Sequence, residues 1–190
     1  MRIIAGTLKG RRLVTPRGAS LRPTSDRVKE SMFSILGEEV DGESVLDLFA
    51  GTGNLGIEAL SRGANRVVFV EKSREAFALI KKNLLACQME DRAELLFKDI
   101  DQAIGNLKER GERFDLILMD PPYEKGLIER TLNQLRAEKV HHDDSVLVIE
   151  HTRREPLPDL SGSWNLIRQR KIGDTLISFL TPLTERDTFQ

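Results

Sequence analysis

The chain reads Val45-Leu46-Asp47-Leu48-Phe49-Ala50-Gly51-Thr52-Gly53 at the point that decides its fold. Residues 45–49 are apolar apart from one acid, which is typical of a buried strand, and the glycines that follow allow a tight turn into a helix. A second run, residues 114–120, has the same character and leads into Pro121-Pro122-Tyr123. Adjacent strands of a parallel sheet end at one crevice, where ligands bind. We therefore expect the two loops to face a single site.

Strand-like and helix-like runs alternate outward from this point. The strand-like runs cover 45–49, 66–70, 94–97, 114–119 and 145–149, and the helical runs cover 54–62, 73–86, 101–110 and 126–138. This alternation predicts an α/β fold with a doubly wound, mostly parallel sheet. Two further runs, 164–170 and 175–180, are split by a turn at Gly173 and predict a C-terminal antiparallel hairpin.

The first 40 residues have a different pattern. Residues 2–6 and 11–14 predict two short strands around a glycine turn, and a helix follows that Thr24 or Ser25 can cap and Gly37 can end. We therefore divide the chain into an N-terminal hairpin and helix over 1–40, a catalytic domain over 41–184 and a polar tail over 185–190.

Positive charge is concentrated in this N-terminal region. Residues 1–29 carry a net charge of about +7, with eight basic side chains and one acid, whereas the whole chain has a net charge of −1. Such an asymmetry favours contact with a polyanion, although a solvated arm would look the same. The candidate substrate-binding residues are Arg2, Lys9, Arg11, Arg12, Arg22, Thr24 and Arg27.

The glycine loop fits two cofactors. Gly51, Gly53 and Gly56 spell the dinucleotide fingerprint G-x-G-x-x-G, with Glu71 placed 20 residues past the first glycine to bind ribose hydroxyls. A pyrophosphate binds bare backbone N–H groups and is repelled by a nearby carboxylate, and Asp47 stands just ahead of these glycines. S-adenosylmethionine carries a sulfonium and an ammonium, which an acid attracts. The loop therefore favours S-adenosylmethionine over NAD.

The ends of the next strands complete a predicted nucleoside pocket. Glu71 can accept both ribose hydroxyls, and Asp99 can accept from the adenine amine or cap the helix that follows, two roles that are compatible. The candidate cofactor-binding residues are Asp47, Phe49, Ala50, Gly51, Thr52, Gly53, Glu71, Lys72, Asp99 and Ile100.

The run Asp120-Pro121-Pro122-Tyr123 predicts the catalytic loop. Two prolines fix the backbone and remove two N–H donors, which leaves the Asp120 carboxylate and the Pro121 carbonyl as acceptors. An exocyclic amine of a nucleobase is a poor nucleophile because its lone pair is delocalised, and two acceptors on its N–H groups favour a pyramidal nitrogen. Tyr123 can stack on the base, for which we expect only its ring to matter.

Composition excludes other classes of protein. No apolar run approaches the length of a membrane span, the amino terminus has no signal-peptide stretch, and the single Cys87 excludes an internal disulfide, so we expect a cytoplasmic protein. Cys87 is expected to be half-buried on a helix. The histidines His141, His142 and His151 are expected at the surface, and we predict no metal site.

The chain resembles the RsmD family of bacterial small-subunit ribosomal RNA guanine-N2 methyltransferases nearly end to end. The resemblance rests on residues 2–6, 10–13, 22–30 and 47–63 and on Asp120-Pro121-Pro122-Tyr123. It implies a Rossmann-like class I methyltransferase fold with a seven-stranded sheet, S-adenosylmethionine as cofactor, and one guanine of 16S ribosomal RNA in an assembling 30S subunit as substrate. We expect the enzyme to be a monomer.

Three alternatives stay open. An N6-adenine methyltransferase, or one acting on another exocyclic amine of DNA or RNA, would use the same catalytic loop. A nucleotide-dependent oxidoreductase would need an acid or base beside a nicotinamide, and the sequence offers no candidate histidine. A non-catalytic RNA-binding module would not need an intact loop at Asp120.

Overall fold

Seven strands form one sheet in the computed structural model, which describes residues 1–15, 25–123 and 125–184. The strands are β1 (Ser44–Leu48), β2 (Arg66–Val70), β3 (Ala93–Leu96), β4 (Phe114–Met119), β5 (His141–Thr152), β6 (Trp164–Ile172) and β7 (Thr175–Pro182). Their order across the sheet is β3-β2-β1-β4-β5-β7-β6. β1 to β5 are parallel, and β7 runs antiparallel to β5 and β6. The predicted fold class, including the C-terminal hairpin, is confirmed.

Five helices accompany the strands. They are α1 (Asp26–Leu36), α2 (Asn54–Ser61), α3 (Arg74–Cys87), α4 (Ile100–Glu109) and α5 (Leu127–Glu138), with a short 3₁₀ turn at Glu90–Arg92. α1 precedes β1, and the other four connect β1 to β5, each with bounds within one residue of the predicted ones. Ser25 caps α1 by accepting from the Val28 N–H, and Gly37 ends it with a positive φ of 58°. Of the two predicted caps, Ser25 is confirmed, and Thr24 lies outside the described residues.

Apolar side chains cover both faces of the sheet. On one face α1, α2 and α3 pack against residues such as Val45, Leu116 and Phe179. On the other face α4 and α5 pack against residues such as Leu46 and Ile149. Because helices cover both faces of the sheet, a ligand can reach it most easily at the strand ends. The carboxyl ends of β1 to β4 all lie at the same end of the sheet.

The first 15 residues form the predicted hairpin as a short antiparallel pairing rather than as two full strands. They make a single antiparallel bridge between Arg2 and Arg12. Across it the Ile3 N–H donates to the Arg11 carbonyl at 2.9 Å and the Gly10 N–H to the Ile3 carbonyl at 2.8 Å. The turn between them bonds to α2: the Thr7 N–H donates to the Ser61 carbonyl at 2.8 Å and the Leu8 N–H to Ser61 Oγ at 3.0 Å. Gly6 packs so closely on Ser61 that a Cβ there would lie 1.7 Å from the Ser61 oxygen.

The expected surface position of the histidines is wrong for His151. This side chain is buried, with Nε2 2.8 Å from Ser178 Oγ and Nδ1 3.0 Å from the Glu155 carbonyl oxygen, and burial lowers its pKa. Cys87, expected to be half-buried, is fully buried at the end of α3, which raises the pKa of the thiol.

The described part of the chain shows neither a metal-ligand cluster nor a membrane-spanning helix. It contains no cluster of three or more possible metal ligands. None of its helices has the length and apolar character needed to cross a membrane.

Candidate active site

One cavity of about 680 Å³ opens at the carboxyl ends of the parallel strands. Of the fourteen residues predicted to bind cofactor or act in catalysis, thirteen line it, and only Gly53 does not. The glycine loop and the Asp120 loop therefore share one cavity, because β1 and β4 are hydrogen-bonded neighbours. Residues that sequence reasoning missed also line the cavity: Met1, Asn54, Leu55, Val70, Ser73, Lys98, Asp101, Lys125, Leu127, Arg130 and Thr131.

The glycine loop takes its shape from left-handed backbone. Phe49, Gly51 and Gly53 have φ angles of 62°, 57° and 78°. This conformation is free for glycine but strained for phenylalanine, and such strain is common at functional sites. A Cβ on Gly53 would lie 3.1 Å from Ile57 and 3.3 Å from Ile80, which explains why Gly53 supports the loop from behind rather than lining the cavity.

Asp47 is a buried carboxyl group behind the loop. It is 1% exposed, and its Oδ2 accepts from the Gly56 N–H at 2.8 Å. Burial, with smaller contributions from the charges of Asp120 and Glu71, raises the pKa of Asp47 to about 8. A Cβ on Gly56 would lie 2.9 Å from Asp47 Oδ2, so glycine is needed there for this contact. A cation in the cavity would stabilise the ionised form of Asp47.

Glu71 ties the end of β2 to the glycine loop. Its Oε2 accepts from the Gly51 N–H at 2.8 Å and its Oε1 from the Ser73 N–H at 2.6 Å. A carboxylate oxygen has room for a second donor, so these bonds orient Glu71 without using up its capacity to accept from a ribose. The same residue therefore shapes the loop and faces the cavity.

Asp99 caps α4 as one of its two predicted roles requires. Its carboxylate accepts from the Gln102 N–H at 2.9 Å, while the side chain stays exposed beside the cavity. Ile100, the first residue of α4, is half-buried and contributes apolar surface to the wall. The rim beyond them is closed by an ion pair between Asp101 and Arg130, which joins α4 to α5.

The Asp120 loop leaves β4 and crosses towards β5. Asp120 is half-buried, Pro121 is buried and Pro122 is exposed. The Tyr123 hydroxyl donates to Glu150 Oε1 on β5 at 3.1 Å. Burial, with the nearby charges of Glu150 and Asp120, raises the pKa of Tyr123, so it stays a donor at neutral pH. This bond anchors the ring at the cavity wall.

The candidate substrate-binding cations that the structure describes lie at the surface. Arg2, Lys9, Arg11, Arg12 and Arg27 are exposed, and Arg2 pairs with Asp26 at 3.1 Å. Arg22 and Thr24 lie outside the described residues.

Lys29, which adds to the N-terminal charge count, is not at the surface. It is fully buried, and its Nζ lies 3.1 Å from Glu58 and donates to the Arg2 carbonyl and to Asn54 Oδ1, each at 2.7 Å. Its charge is therefore neutralised inside the protein.

This buried pair fastens the N-terminal segment to α2. Glu58 also accepts from the Ile4 N–H at 2.8 Å and the Ala5 N–H at 3.0 Å, and pairs with Arg62 at 2.9 Å. Sequence reasoning missed the cluster, because an acid in a helix after a glycine loop does not reveal a lysine partner 29 residues earlier.

A second link joins the N-terminal segment to the cofactor loop. Asn83 on α3 accepts from the Val14 N–H at 2.7 Å and donates to the carbonyls of Val14 at 3.1 Å and Thr52 at 3.0 Å. Met1 itself lines the cavity, and its sulfur lies 3.9 Å from Thr52 Oγ1. The segment is therefore a neighbour of the cofactor cavity.

Comparison with known proteins agrees with this geometry. Residues 1–181 match the family described as conserved hypothetical protein 95. The chain is 38% identical to YlbH of Bacillus subtilis over 175 residues, which cover 92% of this chain and 95% of YlbH. It is 34% identical to the ribosomal RNA small subunit methyltransferase D of Escherichia coli K12 over 173 residues, covering 91% and 85% of the two chains. The solved structure of Escherichia coli yhhF superposes with a TM-score of 0.83 at 32% identity, covering 96% and 97%.

Proposed function

This chain belongs to the conserved hypothetical protein 95 family, the RsmD family, and from that premise we propose that it methylates the N2 amine of one guanine in 16S ribosomal RNA. It is an S-adenosylmethionine-dependent ribosomal RNA methyltransferase. The choice of guanine N2 within that class is the proposal. The observation that supports it best is the shared cavity: an acceptor-rich Asp120 loop and a glycine loop line the same 680 Å³.

The cavity fits S-adenosylmethionine by its chemistry. An acidic cluster of Asp47, Glu71 and Asp120 lies along it, which suits a cation and disfavours a pyrophosphate. We assign the methionine end of the cofactor to the backbone of residues 49–53 with Asp47 behind it. We assign the ribose to Glu71 and the adenine to Asp99 and Ile100. When bound, the cofactor supplies an electrophilic methyl group on a sulfonium.

The Asp120 loop would hold the target amine. The Asp120 carboxylate and the Pro121 carbonyl accept its two N–H groups, which directs the nitrogen lone pair at the methyl carbon. The bound cofactor would supply the methyl group and keep the sulfur as a neutral thioether, and the proton released from the amine would pass to Asp120 or to water. No covalent bond between enzyme and base is required, because the amine is itself the nucleophile. Catalysis then depends on positioning.

Tyr123 would stack on the extruded base. Base–aromatic stacking is worth about 1–3 kcal/mol, and the bond from its hydroxyl to Glu150 fixes the ring in place. The same stack accepts adenine, so an N6-adenine product is the nearest alternative. The resemblance over residues 22–30, which is specific to the guanine-N2 family, favours guanine.

Single-turnover transfer to small-subunit ribosomal RNA, with the methylated nucleoside identified by mass spectrometry, tests the proposal. Asp120→Ala should lower the transfer rate by orders of magnitude while S-adenosylmethionine affinity stays nearly intact. Glu129→Ala, an exposed acid on α5 that does not line the cavity, is the matched control. N2-methylguanosine is the expected product. N6-methyladenosine, or an active Asp120→Ala enzyme, would contradict the assignment.

We also propose that the enzyme acts in the cytoplasm, as a monomer, on a partly assembled 30S particle. The resemblance supports this setting. Comparing transfer to deproteinised RNA with transfer to precursor particles tests the substrate, and the particles should be methylated faster.

A further inference from the structure

The outermost strand of the sheet, β6, carries positive charge that the N-terminal segment does not account for. Residues Trp164–Ile172 include Arg168, Arg170 and Lys171 and no acid. All three cations are exposed. Within residues 1–15, 25–123 and 125–184, none of the three forms an ion pair, whereas Arg66, Arg110 and Arg130 each pair with a carboxylate.

The strand register connects this charge to the catalytic loop. Arg170 pairs with Ile177 on β7, and Ile177 pairs with Glu150 on β5. Directly paired residues point to the same face of a sheet, so Arg170 and Glu150 lie in one row on one face. Neighbouring strands are about 4.8 Å apart, so two strand spacings place the Arg170 backbone about 10 Å from that of Glu150. Glu150 is the residue that anchors Tyr123.

The direction of β6 places its cations near the end of the sheet that carries the cavity. β7 is antiparallel to both β5 and β6, so β6 runs in the same direction as β5. Arg170 and Lys171 lie near its carboxyl end, which is the end at which the parallel strands open onto the cavity. Arg153, exposed in the turn after β5, lies at the same end.

We propose that Arg168 and Arg170, which share one face of β6, bind phosphate groups of the RNA substrate. This rests on the proposed function. Segment 1–15 bonds to α2 and α3, which connect β1, β2 and β3 on one side of the sheet. β6 is the edge strand on the other side. β4, with the Asp120 loop, lies between these two sides. The RNA would then be held on both sides of the base at Tyr123. Charges on an edge strand also prevent pairing with another strand, and the experiment separates that role from RNA binding.

The test compares two double variants that remove the same charge from opposite ends of the sheet. Arg168→Gln with Arg170→Gln removes two cations from β6. Arg113→Gln with Lys139→Gln removes two exposed cations that precede β4 and β5. They lie at the amino ends of these strands, opposite the end that carries the cavity. Affinity for deproteinised 16S ribosomal RNA is measured at several salt concentrations, together with S-adenosylmethionine affinity, oligomeric state and melting temperature.

Two lost phosphate contacts should flatten the slope of log affinity against log salt by about 1.4, which corresponds to about 25-fold weaker binding at 0.1 M salt. Cofactor affinity and melting temperature should stay at the wild-type values, Arg168→Lys with Arg170→Lys should restore binding, and the control pair should bind RNA like the wild type. Equal RNA affinity for the two glutamine pairs, or self-association of the β6 variant without a loss of RNA binding, would overturn the inference. The proposed function is judged separately, by the nucleoside that the wild-type enzyme produces.

Discussion

At the scale of single residues, Asp47 makes cofactor binding a proton-linked step. Because burial raises its pKa to about 8, the Asp47 carboxyl group is mostly protonated at pH 7. A bound cation favours the ionised form, so binding of S-adenosylmethionine should release a proton from Asp47. Calorimetry at pH 7 in two buffers of different ionisation enthalpy measures that release. Asp47→Asn should abolish it and weaken binding, and a release that is unchanged in the variant would contradict the assignment.

The same pKa fixes the sign of the pH dependence of stability. The pKa of Asp47 is about 4 in the unfolded chain and about 8 in the folded protein. At a pH between these two values, the folded protein holds the Asp47 proton more strongly than the unfolded chain does. The contribution of Asp47 to the free energy of unfolding is therefore full below this window and falls as the pH rises through it. Asp47→Asn should remove this fall. Urea unfolding of both proteins at pH 5, 6, 7 and 8 tests it, and parallel curves would contradict it.

Tyr123 should depend on its hydroxyl as well as its ring. Tyr123→Phe keeps the stacking surface but loses the hydrogen bond to Glu150. A typical hydrogen bond contributes about 1 kcal/mol net. We expect a lower transfer rate with little change in RNA affinity, whereas Tyr123→Ala should lower both. Glu150→Gln, measured alone and together with Tyr123→Phe, completes a double-mutant cycle. Strictly additive effects of the two changes would show that the bond has no catalytic consequence.

At the scale of elements, α1 is held by a buried ion pair. Lys29 and Glu58 are both fully buried, and burial lowers the pKa of Lys29 while Glu58 opposes that effect. Removing one partner of such a pair costs about 3–5 kcal/mol. Lys29→Met should therefore lower the free energy of unfolding by several kcal/mol, measured with urea. Arg27→Met, two residues away on the exposed side of the same helix, should change stability by less than about 0.5 kcal/mol. Equal effects would contradict the pairing.

Sequence patterns predicted the elements better than the roles of polar residues within them. The helices and central strands follow from local periodicity and caps such as Ser25, which depend on neighbours along the chain. Lys29 looks like a surface cation because its partner Glu58 is far away in sequence. Likewise, nothing local shows that the turn after Gly6 bonds to Ser61 of α2. Long-range polar pairing is therefore what local patterns do not reveal.

At the scale of the whole molecule, the position of the site follows from topology that the sequence also supported. The order of β1 and β4 as neighbours brings Asp47 and Asp120 to one cavity, as expected for alternating strands and helices. The closeness of Met1 to that cavity was not predicted, because it depends on how residues 1–15 pack on α2 and α3. The N-terminal segment thus has two parts: a backbone bonded to α2 and to Asn83, which also bonds to Thr52 of the cofactor loop, and cationic side chains directed to solvent.

These two parts should separate by mutation. Arg11 and Arg12 are exposed, so Arg11→Gln with Arg12→Gln should weaken RNA binding, flatten its salt slope by about 1.4 and leave S-adenosylmethionine affinity unchanged. Asn83→Ala removes the bonds that join Val14 to Thr52, so it should weaken the binding of both ligands. RNA binding at graded salt and cofactor calorimetry on each variant measure this. If the arginine pair weakens cofactor binding while RNA binding survives, the side chains of the segment serve the cofactor and the RNA is held elsewhere.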